Sequence, residues 1–222
     1  MEGENKAVIV LAGMIGAGKS TYTKFISDAL GSDPFYESVD DNRILENFYE
    51  NPERWAFSLQ IYFLNTRFRS IKAAFKHENN VLDRSIYEDA LFTRINYEEG
   101  NMSDAEMDTY LDLLDNMMEE LDNMPKKSPD LLIYLRGSLD TVLNRIEKRG
   151  RTFEQIDGND SLLDYYTHLH GQYDGWFNDY DKSETLVIDI NQYDLEKSED
   201  AAKVINMVTE KLAEVRNKES IR

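Results

Sequence analysis

An α/β fold with a parallel β-sheet covered by helices on both faces is predicted by three features of this 222-residue sequence. Short, almost unbroken apolar runs alternate with helical patterns, as they do when buried parallel strands are joined by helices. The first run passes directly into Gly-x-x-x-x-Gly-Lys-Ser, residues 13–20, a spacing that suits a loop wrapped around phosphate. Apolar residues make up 41% of the chain and aromatics 11%, enough for a real core and unlike a disordered polypeptide.

The elements follow in order. Residues 6–12 read as the first strand, ending at Gly13, and residues 21–30 as the helix after the loop. "PFYESV" from Pro34 is a shorter strand candidate. Pro52 opens a long helix reaching about His77, as Pro is tolerated in a first helical turn. "NNVLDRS" from Asn79, "DLLIYLRG" from Asp130 and "TLVIDIN" from Thr185 are further strands. Ser103 with Glu106 forms a capping box for a helix running to Met124. Ser138 caps a helix that ends at Gly150, and Ser198 one that runs into the C-terminal region. "KRGRTFEQIDGND", from Lys148, is a polar stretch between helices. On the helix over 102–124, Met107, Leu111, Leu114, Met117, Met118 and Leu121 recur at three- and four-residue steps. That stripe reads as core, with a dimer surface as the alternative. With no repeat, low-complexity segment or linker, a single domain spanning 1–222 is expected.

Charge narrows the function. With 25 basic and 43 acidic residues the formal net charge is −18, a surface that repels nucleic acid and anionic membranes. Neither partner is expected. No apolar run approaches the roughly 20 residues of a membrane span, and the acidic start "MEGENKAVIVL" does not suit a secretory signal. The absence of cysteine excludes disulfides and thiolate metal sites and fits a reducing cytoplasm. So acidic a chain can hold a nucleoside triphosphate only where positive charge is locally concentrated.

The loop supplies one such place. Gly13, Gly16 and Gly18 let backbone N–H groups turn inward around Ala17, and the helix opening near Thr21 points its positive end at the phosphates. Lys19 adds a full charge and Ser20 is placed to bind Mg²⁺. This pattern speaks for nucleotide binding and is silent on the reaction. No Asn-Lys-x-Asp segment reads guanine, and a motor ATPase would be larger, which leaves phosphoryl transfer to a small molecule.

The acceptor is the next question. "VLDRS" places Asp83, Arg84 and Ser85 at the carboxyl end of a strand, where doubly wound sheets put their ligands. Asp83 can hold the metal or accept a proton, and Arg84 can bridge the transferred group and the acceptor oxygen. Glu37 follows the second strand candidate. A nucleoside monophosphate acceptor is already anionic and needs arginines but no base. A neutral hydroxyl is helped by a carboxylate that takes up its proton. Glu37 therefore favours a hydroxyl acceptor over a monophosphate kinase of the thymidylate-kinase type. A nucleotide-binding regulator without turnover would have no need of Lys19, Ser20, Glu37, Asp83 and Arg84 together.

In order along the chain, "GMIGAGKST", "YESVDDN", "FYENPERWAFSLQIYFLNTRF", "LDRSIYEDALF" and "RIEKRGRTFEQ" resemble the deoxynucleoside kinases, most of all the bacterial deoxyadenosine/deoxyguanosine kinase branch. The resemblance covers Val8 to about Tyr180. It implies a P-loop kinase fold with a five-stranded parallel sheet, ATP as phosphate donor with Mg²⁺, a purine deoxynucleoside as acceptor, and a dimer, identical or with a paralogue. It implies Glu37 as base at the 5′-hydroxyl with Arg84 beside it, Tyr49 and Glu154 on the sugar 3′-hydroxyl, and Gln60, Arg67 and Asp89 on the nucleobase. The chain has Asp-Arg-Ser where other members have Glu-Arg-Ser, so metal binding by Asp83 and proton acceptance by Asp83 both stay open. An aromatic stacking on the base is expected near Phe92 and Thr93, its identity unassigned. Gln60 and Arg67 return to one helix face with Phe63 between them. That strip suits a planar base, or packs Phe63 in the core with the polar pair at its margin. Arg145, Arg149 and Arg151 suit a helix C-terminus; by resemblance they belong to a lid over about 145–158 that closes on the triphosphate.

Overall fold

The computed structural model describes residues 7–37, 42, 44–74, 79–123 and 128–219. Strands β1 (Val8–Ala12), β2 (Asp33–Phe35), β3 (Asn80–Asp83), β4 (Leu131–Arg136) and β5 (Glu184–Asp189) form one sheet in the order β2-β3-β1-β4-β5, all parallel. Around it lie α1 (Lys19–Leu30), α2 (Leu45–Glu50), α3 (Pro52–Ala74), α4 (Ile86–Glu98), α5 (Asp104–Asp122), α6 (Leu139–Arg149), α7 (Asp160–Asp179) and α8 (Ser198–Glu219). β1 is central, with Leu11 in register with Asp83 on one side and Ile133 on the other. The connections turn opposite ways on its two sides, which opens a crevice at its carboxyl end, beside the 13–20 loop.

Successive residues of β1 point to opposite faces, and both faces are apolar. Ile9 and Leu11 join Ile26 of α1, Ile95 of α4, Val142 of α6 and Leu169 of α7 in one core. Val8 and Val10 join Leu64 and Ile71 of α3 and Tyr110 of α5 in a second. Each such side chain contributes about 1.5–3 kcal/mol when fully buried, so the central strand is held firmly and the loop at its end has a rigid base. Among the described residues no helix is long and apolar enough to cross a membrane.

The sequence-based elements hold with shifted ends. α1 starts at Lys19 rather than Thr21, because Gly18 takes a left-handed N-cap conformation (φ 91°) and brings Lys19 and Ser20 into the first helical turn. The capping box at Ser103 is present, Ser138 caps α6, and Gly150 ends it in the left-handed region at φ 74°. Ser198 is the first residue of its helix rather than a residue before it. The expected start at Lys6, the helix ends at His77 and Met124, and Ser38–Asp41 of "YESVDDN" lie outside the described residues. The methionine-rich stripe packs inward: Leu121 is buried, and Leu114, Met117 and Met118 lie against the second core, while Leu111 stays exposed. Three helices were given no range by the sequence: α2, α4 and α7. α4 lacks a one-sided apolar stripe because its buried residues include Glu88, Asp89, Thr93 and Asn96.

Candidate active site

A cleft of about 880 Å³ runs along the carboxyl end of the sheet, from Gly18, Lys19 and Ser20 at one end to Gln60, Phe63 and Asp89 at the other. At Gly16 the backbone has φ 84°, and an added Cβ would lie 2.8 Å from the Val142 carbonyl oxygen of α6. Only glycine allows the loop to pass this closely under α6. The loop is also tied to α6 by Arg145, which donates through Nη1 to the Ala17 carbonyl at 2.8 Å.

Lys19 folds back on the loop, donating from Nζ to the carbonyls of Gly13 (2.6 Å) and Met14 (3.1 Å). Burial, reinforced by Arg84, lowers its pKa to about 8. Ser20 Oγ donates to Asp83 Oδ2 at 2.5 Å, while Asp83 Oδ1 is buried with no hydrogen-bond partner. Burial pushes the Asp83 carboxyl up, against the pull of Lys19, and Glu37 pushes the same way.

Two arginines organise the middle of the cleft. Arg67 of α3 donates from Nη2 to Glu37 Oε1 (2.6 Å), from Nη1 to the Asp83 carbonyl (2.8 Å) and from Nε to Asp89 Oδ2 (3.2 Å). Arg84 donates from Nε to the same Glu37 oxygen at 3.0 Å, and its guanidinium lies 4.5 Å over the Phe92 ring. Burial opposes charge on Glu37, but Arg84, Arg67 and Lys19 prevail and hold its carboxyl at about 2. Asp89 goes the other way. Its burial outweighs Arg67 and lifts it to about 6.

At the far end, Gln60 Oε1 accepts from Thr93 Oγ1 at 3.3 Å, and Phe63 and Phe92 both line the cleft. Gln60 and Arg67 are themselves buried, while Phe63 is only partly buried and lines the cleft, so the polar pair does not sit at a solvated margin of a Phe63 core. Tyr49 lies against Phe153 with ring centroids 5.4 Å apart. Arg149 and Arg151 both pair with Glu154, which is only 3% exposed. Arg149 and Arg151 thus come together with the acid expected on the sugar, while Arg145, expected beside them, bonds the phosphate loop instead.

Two parts of this site were not singled out from sequence. Glu88 of α4 is fully buried; its Oε1 accepts from Gly13 N–H (3.1 Å), Arg84 Nη1 (2.9 Å) and Tyr173 Oη (2.5 Å). The one available signal was its place four residues after Arg84, a helical contact distance. The loop after β5 also lines the cleft, through Tyr193 and Asp194. Among the described residues no three His, Cys, Asp or Glu side chains are gathered to hold a metal.

The chain matches the family model "Deoxynucleoside kinase" over residues 9–214. It is 55% identical over 209 residues to a deoxyguanosine kinase of Lactobacillus johnsonii, covering 94% of this chain and 93% of that one. It is 46% identical over 211 residues to a deoxyadenosine kinase of Lactobacillus acidophilus, covering 95% and 98%. Among solved structures, deoxyadenosine kinase from M. mycoides with bound dATP superposes with a TM-score of 0.75 at 32% identity, over 91% of this chain and 99% of that one. With the five-stranded parallel sheet and the phosphate loop at its switch point, these matches place the chain in the deoxynucleoside kinase family, in its bacterial deoxyadenosine/deoxyguanosine kinase branch.

Proposed function

We propose that this protein transfers the γ-phosphoryl group of ATP to the 5′-hydroxyl of a purine deoxynucleoside, forming the 5′-monophosphate. The observation that carries the reading is Glu37, a carboxylate lining the cleft and held between Arg67 and Arg84 near Lys19. A hydroxyl acceptor uses such a group, whereas a monophosphate acceptor does not.

The acceptor oxygen bonds to the γ-phosphorus as the bond to the β-phosphate oxygen breaks, and the hydroxyl proton passes to Glu37. A carboxylate held near pKa 2 is a weak base. That suffices where bond breaking leads and the hydroxyl loses its proton late. Loop N–H groups and Lys19 stabilise the triphosphate, and Arg84 the charge moving between donor and acceptor. Mg²⁺ fits Ser20 and Asp83: their side chains meet at 2.5 Å, and Asp83 Oδ1 is a buried oxygen without a partner. Mg²⁺ commonly takes one or two protein oxygens and completes its shell with phosphates and water, and when bound it would neutralise phosphate charge. The contact between Asp83 and Ser20 favours the metal role for Asp83 and leaves the proton to Glu37.

For the nucleobase, Asp89 accepts, Arg67 donates and Gln60 does both, a set that serves adenine or guanine. Thymine lacks an amino group and adds a methyl. Tyr49 and Glu154 are assigned to the sugar 3′-hydroxyl, and Arg145, Arg149 and Arg151 to the donor side. A dimer, with itself or a paralogue, and a cytoplasmic location complete the reading. Steady-state assays with Mg·ATP and four deoxynucleosides test it. Deoxyadenosine or deoxyguanosine should be the best acceptor and thymidine the poorest. A preference for thymidine, or for any nucleoside monophosphate, overturns it.

A further inference from the structure

We propose that Glu88 is a positioning residue, anchoring Arg84 and the mouth of the phosphate loop to a single buried carboxylate oxygen during phosphoryl transfer. The proposal rests on the phosphoryl-transfer reading above.

Among the described residues Arg84 is the one non-glycine residue with positive φ, at 80°. Such a conformation is unfavourable for a residue with a side chain and persists only where the surroundings over-determine it. The Arg84 backbone N–H donates to the Leu11 carbonyl at 3.0 Å. Its side chain then has two carboxylate contacts, Glu37 Oε1 at 3.0 Å and Glu88 Oε1 at 2.9 Å. These contacts differ in kind. Glu37 lines the cleft, and in the proposed reaction it gives part of its hydrogen-bonding capacity to the acceptor hydroxyl. Glu88 is fully buried and does not line the cleft. No substrate atom reaches it, so its hold on Arg84 is the one that can stay unchanged from ground state to transition state.

The same oxygen serves the phosphate loop. Gly13 N–H donates to Glu88 Oε1 at 3.1 Å, turning this loop amide away from the nucleotide and towards α4. Tyr173 of α7 donates its hydroxyl proton to Oε1 at 2.5 Å and receives a longer bond from Arg84 Nη1 at 3.4 Å, closing a triangle. The loop that grips the donor and the guanidinium that faces the acceptor are thereby referenced to one atom. Charge matters as well as geometry. A neutral amide at position 88 would leave Glu37 as the sole carboxylate contact of Arg84, drawing Glu37 into that pair and away from the hydroxyl.

Glu88→Gln keeps the size and one acceptor oxygen while removing the charge. Hydrogen bonds to charged groups contribute about 1.5–3 kcal/mol, so kcat, counted per titrated active site and checked in a single turnover, should fall by roughly tenfold or more. The KM values for nucleoside and ATP should each stay within about threefold, because Glu88 touches neither. Tyr173→Phe should give a smaller fall of about threefold, and the double variant should be no worse than Glu88→Gln alone. A Glu88→Gln kcat within about twofold of wild type, or a loss residing in KM or in active-site content, overturns the proposal. If Glu88→Gln does not fold, an unchanged kcat in Tyr173→Phe overturns it as well.

A second measurement is independent of turnover. In the ligand-free protein the ¹⁵N resonance of the Arg84 Nη1 group, which donates to Glu88 Oε1 and is identified by its loss in Arg84→Lys, should be resolved and protected, and should broaden or exchange rapidly in Glu88→Gln. A signal that persists unchanged overturns the anchor. A wild-type protein that phosphorylates no deoxynucleoside would instead defeat the proposed function, and this resonance would still decide the role of Glu88.

Discussion

Arg67 Nη2 donates to Glu37 Oε1 at 2.6 Å across thirty residues of sequence. The same guanidinium holds Asp89 through Nε and the Asp83 carbonyl through Nη1. The group assigned to the nucleobase and the group assigned to the acceptor proton are therefore parts of one rigid unit. A substitution at either end is felt at the other.

We predict that Glu37→Gln folds and binds ATP but loses at least about a hundredfold in kcat, the usual scale for a general base. Asp83→Asn should weaken Mg²⁺ dependence, seen as a raised Mg²⁺ concentration for half-maximal rate. Near-normal turnover in Glu37→Gln together with an inactive Asp83→Asn that still binds metal would transfer the base role to Asp83.

Lys19 has its pKa lowered to about 8 in the ligand-free protein, by burial and then by Arg84. Triphosphate favours its charged form, so binding above pH 8 must take up a proton. The Kd for ATP is expected to rise with pH above about 8, approaching tenfold per unit. Calorimetric titrations at pH 8.5 in buffers of different ionisation heat should show uptake of roughly three-quarters of a proton. Titrations with no uptake would contradict the assignment.

Arg149 and Arg151 share the buried Glu154, so either one alone leaves it paired. Single Ala variants should melt close to wild type without nucleotide, yet turn over more slowly. The double variant should lose on the order of 1 kcal/mol, or roughly 2–4 °C in Tm, the modest size reflecting partly solvated arginines. Scanning calorimetry of the three variants beside steady-state rates is the check. Equal Tm losses in the single and double variants would show that the shared acid is not the cause.

Asp89→Ala should lower kcat/KM for the preferred purine deoxynucleoside by about 1–3 kcal/mol, since it leaves Arg67 and the base with unmet hydrogen bonds. ATP affinity should barely change. Unchanged ranking of the four deoxynucleosides in this variant would remove Asp89 from base recognition.

The sheet, the phosphate loop and most helices were legible in the sequence because local physics dictates them. Buried strands must be apolar on both faces, a tight loop needs glycine, and helix ends need caps. Gly13, Lys19 and Ser20 could be found by spacing, and Asp83 and Arg84 by their place at a strand end. What sequence by itself determined was therefore the scaffold and where its catalytic edge lies. Only the tertiary structure decided how the charges are shared. Glu37 meets Arg67 and Arg84, Glu154 gathers Arg149 and Arg151, and Glu88 joins Arg84, Tyr173 and Gly13. These pairings cross up to 85 residues of sequence, and they bury polar side chains on α4 that blur the apolar periodicity by which a helix is recognised. Burial of a charge is stable only when partners arrive from elsewhere in the chain, and no local pattern records which partners those are.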